Sequence, residues 1–74
     1  MSPEKMVHMA NQIATFFKTQ PGSNQATSIA AHLMDYWEPR MLDQLHAYVA
    51  TGGKRLDDLV IAAEAEIAKT RVNA

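Results

Sequence analysis

The sequence predicts an all-α protein, a small bundle of about four short helices joined by short connections. Apolar side chains recur at helical spacing, and proline and glycine divide the 74-residue chain into four segments. The alternation of apolar and polar residues that is typical of strands is absent. We expect a chain of this length to fold as one domain, residues 1–74, in which neighbouring helices pack against each other.

The first helix is predicted over residues 3–19. Ser2 is a good N-cap, Pro3 suits the first helical position, and Pro21-Gly22 is a stop signal. Apolar residues cover about half of the helical circumference, which is generous for so small a domain. This helix is expected to touch two neighbours, or one neighbour and an outside partner, through Met6, Val7, Met9, Ala10, Ile13, Ala14, Phe16 and Phe17.

The second helix is predicted over residues 24–37. Ser23 and Asn24 are both capable caps at its start. Glu38 precedes Pro39 and is therefore pushed out of the α region, which breaks the helix there.

The third helix, residues 39–51, should end at Gly52-Gly53, because glycine adopts the left-handed C-terminal conformation most easily. The following Lys54-Arg55 allows two interpretations. The glycine-rich turn could bind a phosphate, but a helix cap followed by a solvated basic turn is favoured. A helix-turn-helix over helices 3 and 4 is also possible in principle.

The fourth helix is predicted over residues 57–69, with the tail 70–74 frayed. Asp57 is a plausible N-cap, and Leu56 and Ile61 have the spacing of a hydrophobic staple. Besides its main apolar stripe this helix has a second one, which is more than one small core requires and could be a homodimer seam. The second stripe consists of Ile61, Ala65 and Ala68.

Composition excludes several classes of function. Without cysteine there are no disulfides and no thiolate metal sites, which fits the cytoplasm. No apolar run reaches the length of a membrane span, and no signal peptide is expected. The net charge of −1 lacks the basic excess of a nucleic-acid binder, and Asp57-Asp58 at the start of helix 4 would repel phosphates.

No catalytic, cofactor-binding or metal-binding residue is expected. His8, His32 and His46 fall on the polar sides of their helices without the spacing of a metal site, so we interpret them as surface residues or partner contacts. Glu64 and Glu66 are assigned to the solvated side of helix 4. No nucleophile motif or phosphate-binding glycine loop occurs.

The densest local feature is Tyr36-Trp37-Glu38-Pro39-Arg40. Trp, Tyr and Arg dominate the energetic centres of protein interfaces. We expect Trp37 to anchor the core while Tyr36 and Arg40 face a partner. Methionine is common on adaptable binding surfaces, so Met9 or Met41 could serve there too.

Two stretches resemble a known family. Met9-Ala10-Asn11-Gln12-Ile13-Ala14 leads into Phe16-Phe17, and Ile29-Ala30-Ala31-His32 leads into Trp37-Glu38-Pro39-Arg40-Met41. With Gly52-Gly53 and Leu56 to Val60, they resemble the delta subunit of bacterial NAD-dependent formate dehydrogenases. The resemblance covers about Pro3 to Ala63.

The resemblance implies a soluble cytoplasmic complex. Its large alpha subunit oxidises formate at a molybdenum or tungsten pterin cofactor, and electrons pass through iron-sulfur clusters and FMN to NAD. Beta and gamma subunits belong to the same complex. The delta subunit carries no cofactor and is expected to support assembly or stability of the alpha subunit, or cofactor insertion.

A partner-binding set follows as a hypothesis. The polar Asn11 and Gln12 stand out because the isolated fold should not need them. A transient maturation chaperone and an unrelated self-associating bundle remain the alternatives. The expected partner-binding residues are Asn11, Gln12, His32, Tyr36, Trp37, Arg40 and Met41.

Overall fold

Four α-helices make up the fold. The computed structural model describes residues 2–22 and 24–72, and no strand occurs in this part of the chain. The predicted all-α class is confirmed. The helices are α1 (Pro3–Lys18), α2 (Gln25–Tyr36), α3 (Pro39–Ala50) and α4 (Asp58–Val72).

Local signals set the helix starts. The Ser2 hydroxyl accepts a hydrogen bond from the Lys5 N–H at 3.2 Å, and Pro3 occupies the first turn of α1. Asn24 precedes α2 without a side-chain cap, and Ser23, the other candidate cap, lies outside the described residues. Glu38 is extended, with ψ 153°, as expected for a residue before proline.

A Schellman motif ends α3. The Gly53 N–H donates to the Tyr48 carbonyl at 3.1 Å, and the Gly52 N–H donates to the Val49 carbonyl at 3.0 Å. Both glycines have positive φ, 120° and 60°, which side chains with a Cβ rarely adopt. This turn reverses the chain and brings α4 back to the bundle.

Asp57 caps α4, since its carboxylate accepts from the Leu59 N–H at 2.9 Å. The side chains of Leu56 and Ile61, which have the spacing of a hydrophobic staple, both approach Gly53: a Cβ at that glycine would lie 3.7 Å from Leu56 and 3.4 Å from Ile61.

The C-terminal end of α4 differs from the sequence-based prediction. The helix continues past Lys69 to Val72, whereas fraying was expected from residue 70. The Arg71 guanidinium contacts the Asp43 carboxylate of α3 at 2.8 Å, and the Thr70 hydroxyl donates to the Glu66 carbonyl at 3.0 Å. The Arg71–Asp43 contact connects the last turn of α4 to α3. Residues 73 and 74 lie outside the described part.

Helix α4 lies at the centre of the bundle. It contacts the other three helices and packs most closely against α2. Its apolar residues are therefore spread around the helix, and Ile61, from the second stripe, packs against the core. The interpretation of that stripe as surplus apolar surface was wrong for Ile61. The buried core comprises Met6, Val7, Ala10, Ala14, Ile29, Ala30, Leu33, Trp37, Leu42, Leu45, Leu56, Val60, Ala63 and Ile67.

The assignment of Glu64 to the solvated side of α4 was also wrong. Its side chain is buried, with the residue only 6% exposed, and its carboxylate contacts Nδ1 of His46 on α3. Helical periodicity placed Glu64 opposite one apolar stripe, but a central helix is covered on more than one side. His46 is thus an internal partner of α4 as well as a surface residue.

Candidate functional site

The most distinctive surface is a row of four rings that crosses from α1 to α2. Phe16 and Phe17 meet edge to face with centroids 5.3 Å apart, and Phe17 meets His32 in the same way at 5.8 Å. The His32 ring lies 4.7 Å from the ring of Tyr36. The two ends of the row face solvent, with Phe16 58% exposed and Tyr36 74% exposed.

The row borders an open groove of about 430 Å³. The groove is largely apolar, with polar groups from Gln12 and His32. Neither of these two side chains hydrogen-bonds to another described residue, so both remain available to a ligand. We call this region the aromatic surface; it comprises Met9, Gln12, Ile13, Phe16, Phe17, His32 and Tyr36.

Geometry of α1 explains why the aromatic surface stays open. The buried side chains of α1 lie on the side of the helix that packs against α2 and α4. The apolar arc of α1 is wider than this contact and continues onto the neighbouring, exposed side of the helix. Phe16 lies at the outer edge of the arc. The expectation that helix 1 has apolar surface to spare fits this arrangement. The predicted partner-binding set lacked Ile13, Phe16 and Phe17. The width of the apolar arc was the sequence signal that could have added them.

The structure brings only some of the predicted partner-binding residues together. Gln12, His32 and Tyr36 lie on the aromatic surface. Arg40 is exposed at the start of α3, and Met41 is half-buried against the core. Trp37 is only 7% exposed and belongs to the core, as its assignment as the core anchor predicts, and it lies apart from the aromatic surface.

Asn11 has an internal role. Its Nδ2 donates to the Arg55 carbonyl at 2.8 Å, and its Oδ1 accepts from the Asp57 N–H at 2.8 Å. The side-chain amide thereby satisfies two backbone groups of the loop between α3 and α4. The expectation that the isolated fold does not need Asn11 was wrong, because helical periodicity cannot show a loop folded over a polar face.

The loop that Asn11 holds is strained and anchored at several points. Arg55 has φ 70°, and no other non-glycine residue in the described part has positive φ. The Tyr48 hydroxyl donates to the Lys54 carbonyl at 2.8 Å. Asp57 pairs with the Lys18 ammonium of α1. The hydrogen bond from Lys18 lowers the pKa of the Asp57 carboxyl. Partial burial acts in the opposite direction, and the hydrogen bond from the Leu59 N–H lowers the pKa further.

Other classes of site find no support in the described residues. Over residues 2–22 and 24–72, no three His, Asp or Glu side chains are grouped so as to hold a metal ion. None of the helices in that part of the chain has the length and apolar character needed to cross a membrane.

Comparison with known families supplies the setting for these features. The family model of the NADH-dependent formate dehydrogenase delta subunit, FdsD, matches residues 5–64. The chain belongs to this family. The match spans α1 to the first half of α4, so it includes both the aromatic surface and the loop anchored by Asn11.

The resemblance inferred from the two sequence stretches is thus confirmed. This FdsD-family chain shows no significant match to a curated protein or to a solved structure. Its delta-subunit assignment rests on the family match.

Proposed function

We propose that the chain is a non-catalytic accessory subunit of an NADH-dependent formate dehydrogenase and that its aromatic surface docks on the large catalytic (alpha) subunit. Beta and gamma subunits belong to the same complex in this proposal. The complex works in the cytoplasm, and the chain supports assembly or stability of the catalytic subunit.

The observation that carries the proposal is the exposure of Phe16 and Tyr36 at the two ends of one continuous row of rings. Burying an aromatic side chain contributes strongly to association, and Tyr, Trp and Arg are enriched at interface hot spots. A contiguous exposed apolar patch on a small protein is typical of an interaction site. Gln12 and His32 add polar groups that can fix the orientation of the partner.

Catalysis is assigned to other subunits. The proposed molybdenum or tungsten pterin cofactor, the iron-sulfur clusters, FMN and NAD all bind outside this chain. With four short helices around one core, the described part of the chain offers open surface grooves, and an acid–base pair would need an enclosed cleft to shift a pKa. Supporting a large partner needs only a complementary surface.

Stoichiometry of the purified complex tests this proposal. The tagged chain would be isolated from its native cells grown on formate, and its partners would be identified and counted by mass spectrometry. We expect a stable complex containing the cofactor-loaded catalytic subunit and one copy of this chain per catalytic subunit.

Two other results would contradict the proposal in different ways. Binding only to catalytic subunit that lacks its molybdenum cofactor would indicate a transient maturation chaperone. Recovery of the chain as a dimer of itself would indicate a self-associating module, although Ile61 of the suggested seam already packs against the core.

A further inference from the structure

We propose that a second surface, a basic groove between α1 and the α3–α4 loop, binds a carboxylate-bearing segment of the same partner subunit. This inference rests on the proposed function, because it names the chemistry of a second contact in that interface. The groove has a volume of about 520 Å³. Its polar lining comes from Glu4, His8, Asn11, Tyr48, Lys54 and Arg55.

Arg55 is the residue that first points to this groove. Its left-handed backbone costs a residue with a Cβ roughly 1–2 kcal/mol, and glycine would avoid that cost. The same loop does use glycine at positions 52 and 53. Strain of this kind persists where surrounding contacts impose it, and it is concentrated at functional sites. An arginine at such a position indicates that its side chain is needed there.

The loop around Arg55 is held in advance of binding. Asn11 fixes the Arg55 carbonyl, and Tyr48 fixes the Lys54 carbonyl. Both cationic side chains are exposed, and neither forms an ion pair with a described residue. Lys18, close by, has its charge paired with Asp57. Fixing the backbone beforehand reduces the entropy that a partner must overcome to bind these cations.

The positive charge of the basic groove indicates which kind of group binds in it. Lys54 and Arg55 face a single acidic lining residue, Glu4, so the groove is positive although the whole chain has a net charge of −1. A guanidinium and a carboxylate form two parallel hydrogen bonds, a strong and directional pair. Nucleic acid would need a larger basic face than two residues provide. An Asp or Glu side chain of a protein partner therefore fits best.

The basic groove is continuous with the aromatic surface along α1. A shallow depression lined by Glu4, Lys5, His8 and Met9 lies between them. It shares Glu4 and His8 with the groove and Met9 with the aromatic surface. One partner that covers the exposed side of α1 can therefore place apolar side chains at one end and carboxylates at the other.

The test measures the affinity of the full chain for formate dehydrogenase that was purified without this subunit. The measurement is made at several salt concentrations, and Arg55→Gly is the main variant. Glycine relieves the backbone strain at this position, so the melting temperature of the free chain should stay the same or rise. We expect affinity to fall about tenfold, as for the loss of one charge-assisted hydrogen-bonded pair, and its salt dependence to become shallower. Lys69→Gln removes an exposed charge on α4 that forms no ion pair with a described residue, and it should change neither the affinity nor its salt dependence.

Three outcomes would overturn the inference. Wild-type affinity and salt dependence for Arg55→Gly would show that the groove stays empty in the complex. Stronger competition by inorganic phosphate than by acetate at matched ionic strength would assign the groove to a phosphate. Failure of the wild-type chain itself to bind would remove the proposed function first, and the inference with it.

Discussion

The side chain of Asn11 donates a hydrogen bond to the Arg55 carbonyl at 2.8 Å, across 44 residues of sequence. The same amide accepts from the Asp57 N–H at 2.8 Å. The side-chain amide of Asn11 therefore pairs with the α3–α4 loop as a backbone peptide group would, with one donor and one acceptor. It connects the first helix to the start of the last one, and it explains a polar residue in the recognisable stretch Met9 to Ala14.

Replacing Asn11 by alanine should destabilise the free chain. The change removes both hydrogen bonds and leaves the partly buried Asp57 N–H without its partner. We expect the free energy of unfolding to fall by about 2 kcal/mol, and the melting temperature by roughly 10 °C for a domain of this size. Thermal unfolding followed by circular dichroism measures this.

Gln12→Ala is the matched control, because the neighbouring Gln12 is exposed and forms no hydrogen bond with another described residue. Its effect on the melting temperature should be negligible, while it should weaken docking. Equal melting temperatures for Asn11→Ala and the wild type would show that the loop is not held by this amide.

Acid should weaken the fold partly through Asp57. Its pKa is lower in the folded chain than its usual 3.8, chiefly because of the hydrogen bond from Lys18. The unfolded chain therefore binds more protons in acid. The stabilisation is complete above 3.8 and is lost as the pH falls through the lowered, folded-state pKa.

Urea unfolding at a series of acidic pH values checks this dependence. Asp57→Asn should flatten the loss of stability in that range, since asparagine still caps the helix but does not titrate. Lys18→Gln should raise the pKa of Asp57 towards its usual value and flatten the curve similarly. Parallel curves for the wild type and both variants would contradict the assignment.

The pair of His46 and Glu64 should be energetically coupled. His46→Ala leaves the buried Glu64 carboxylate without its partner and should cost about 2 kcal/mol at neutral pH. Glu64→Leu replaces a buried carboxyl group with apolar volume and should be nearly neutral or stabilising. In the Glu64→Leu background, His46→Ala should then cost little. Additive effects in this double-mutant cycle would exclude a coupling.

Truncating the aromatic surface should weaken docking without unfolding the chain. Phe16→Ala and Tyr36→Ala each remove a large exposed ring, and we expect each to cost about 2 kcal/mol of binding to the enzyme purified without this chain. Melting temperatures should change little, since exposed substitutions rarely affect stability. Calorimetric titration measures the affinity.

Met34→Ala is the matched control for these two variants. Met34 is 37% exposed and lies on the opposite flank of α2 from His32 and Tyr36, by the helical spacing. It should bind like the wild type. An equal loss for Met34→Ala would move the docking site to that flank, and no loss for Phe16→Ala or Tyr36→Ala would remove it from the aromatic surface.

Much of the architecture follows from local sequence signals. Ser2 and Pro3 start α1, Pro39 separates α2 from α3, and two glycines end α3, because capping and backbone restrictions act over a few residues. Helical periodicity also gave most of the core, including Trp37. The family follows from two short stretches of sequence, which the family model then confirmed.

The residues of the aromatic surface could be predicted from the sequence only in part. Sequence patterns identified Gln12, His32 and Tyr36 as polar or aromatic groups without an internal role. They could not show that Phe16 and Phe17 complete one row with them, because that row crosses two helices whose relative position the periodicity of each helix leaves open.

The sequence by itself determined the helices, the core stripe of each helix and the family of the chain, all of which depend on local spacing. Only the tertiary structure decided that α4 is central, that Glu64 is buried and that Asn11 holds the loop containing Arg55. These depend on contacts between residues far apart in the chain. A helical wheel shows which side of a helix is polar, but only packing shows what covers that side.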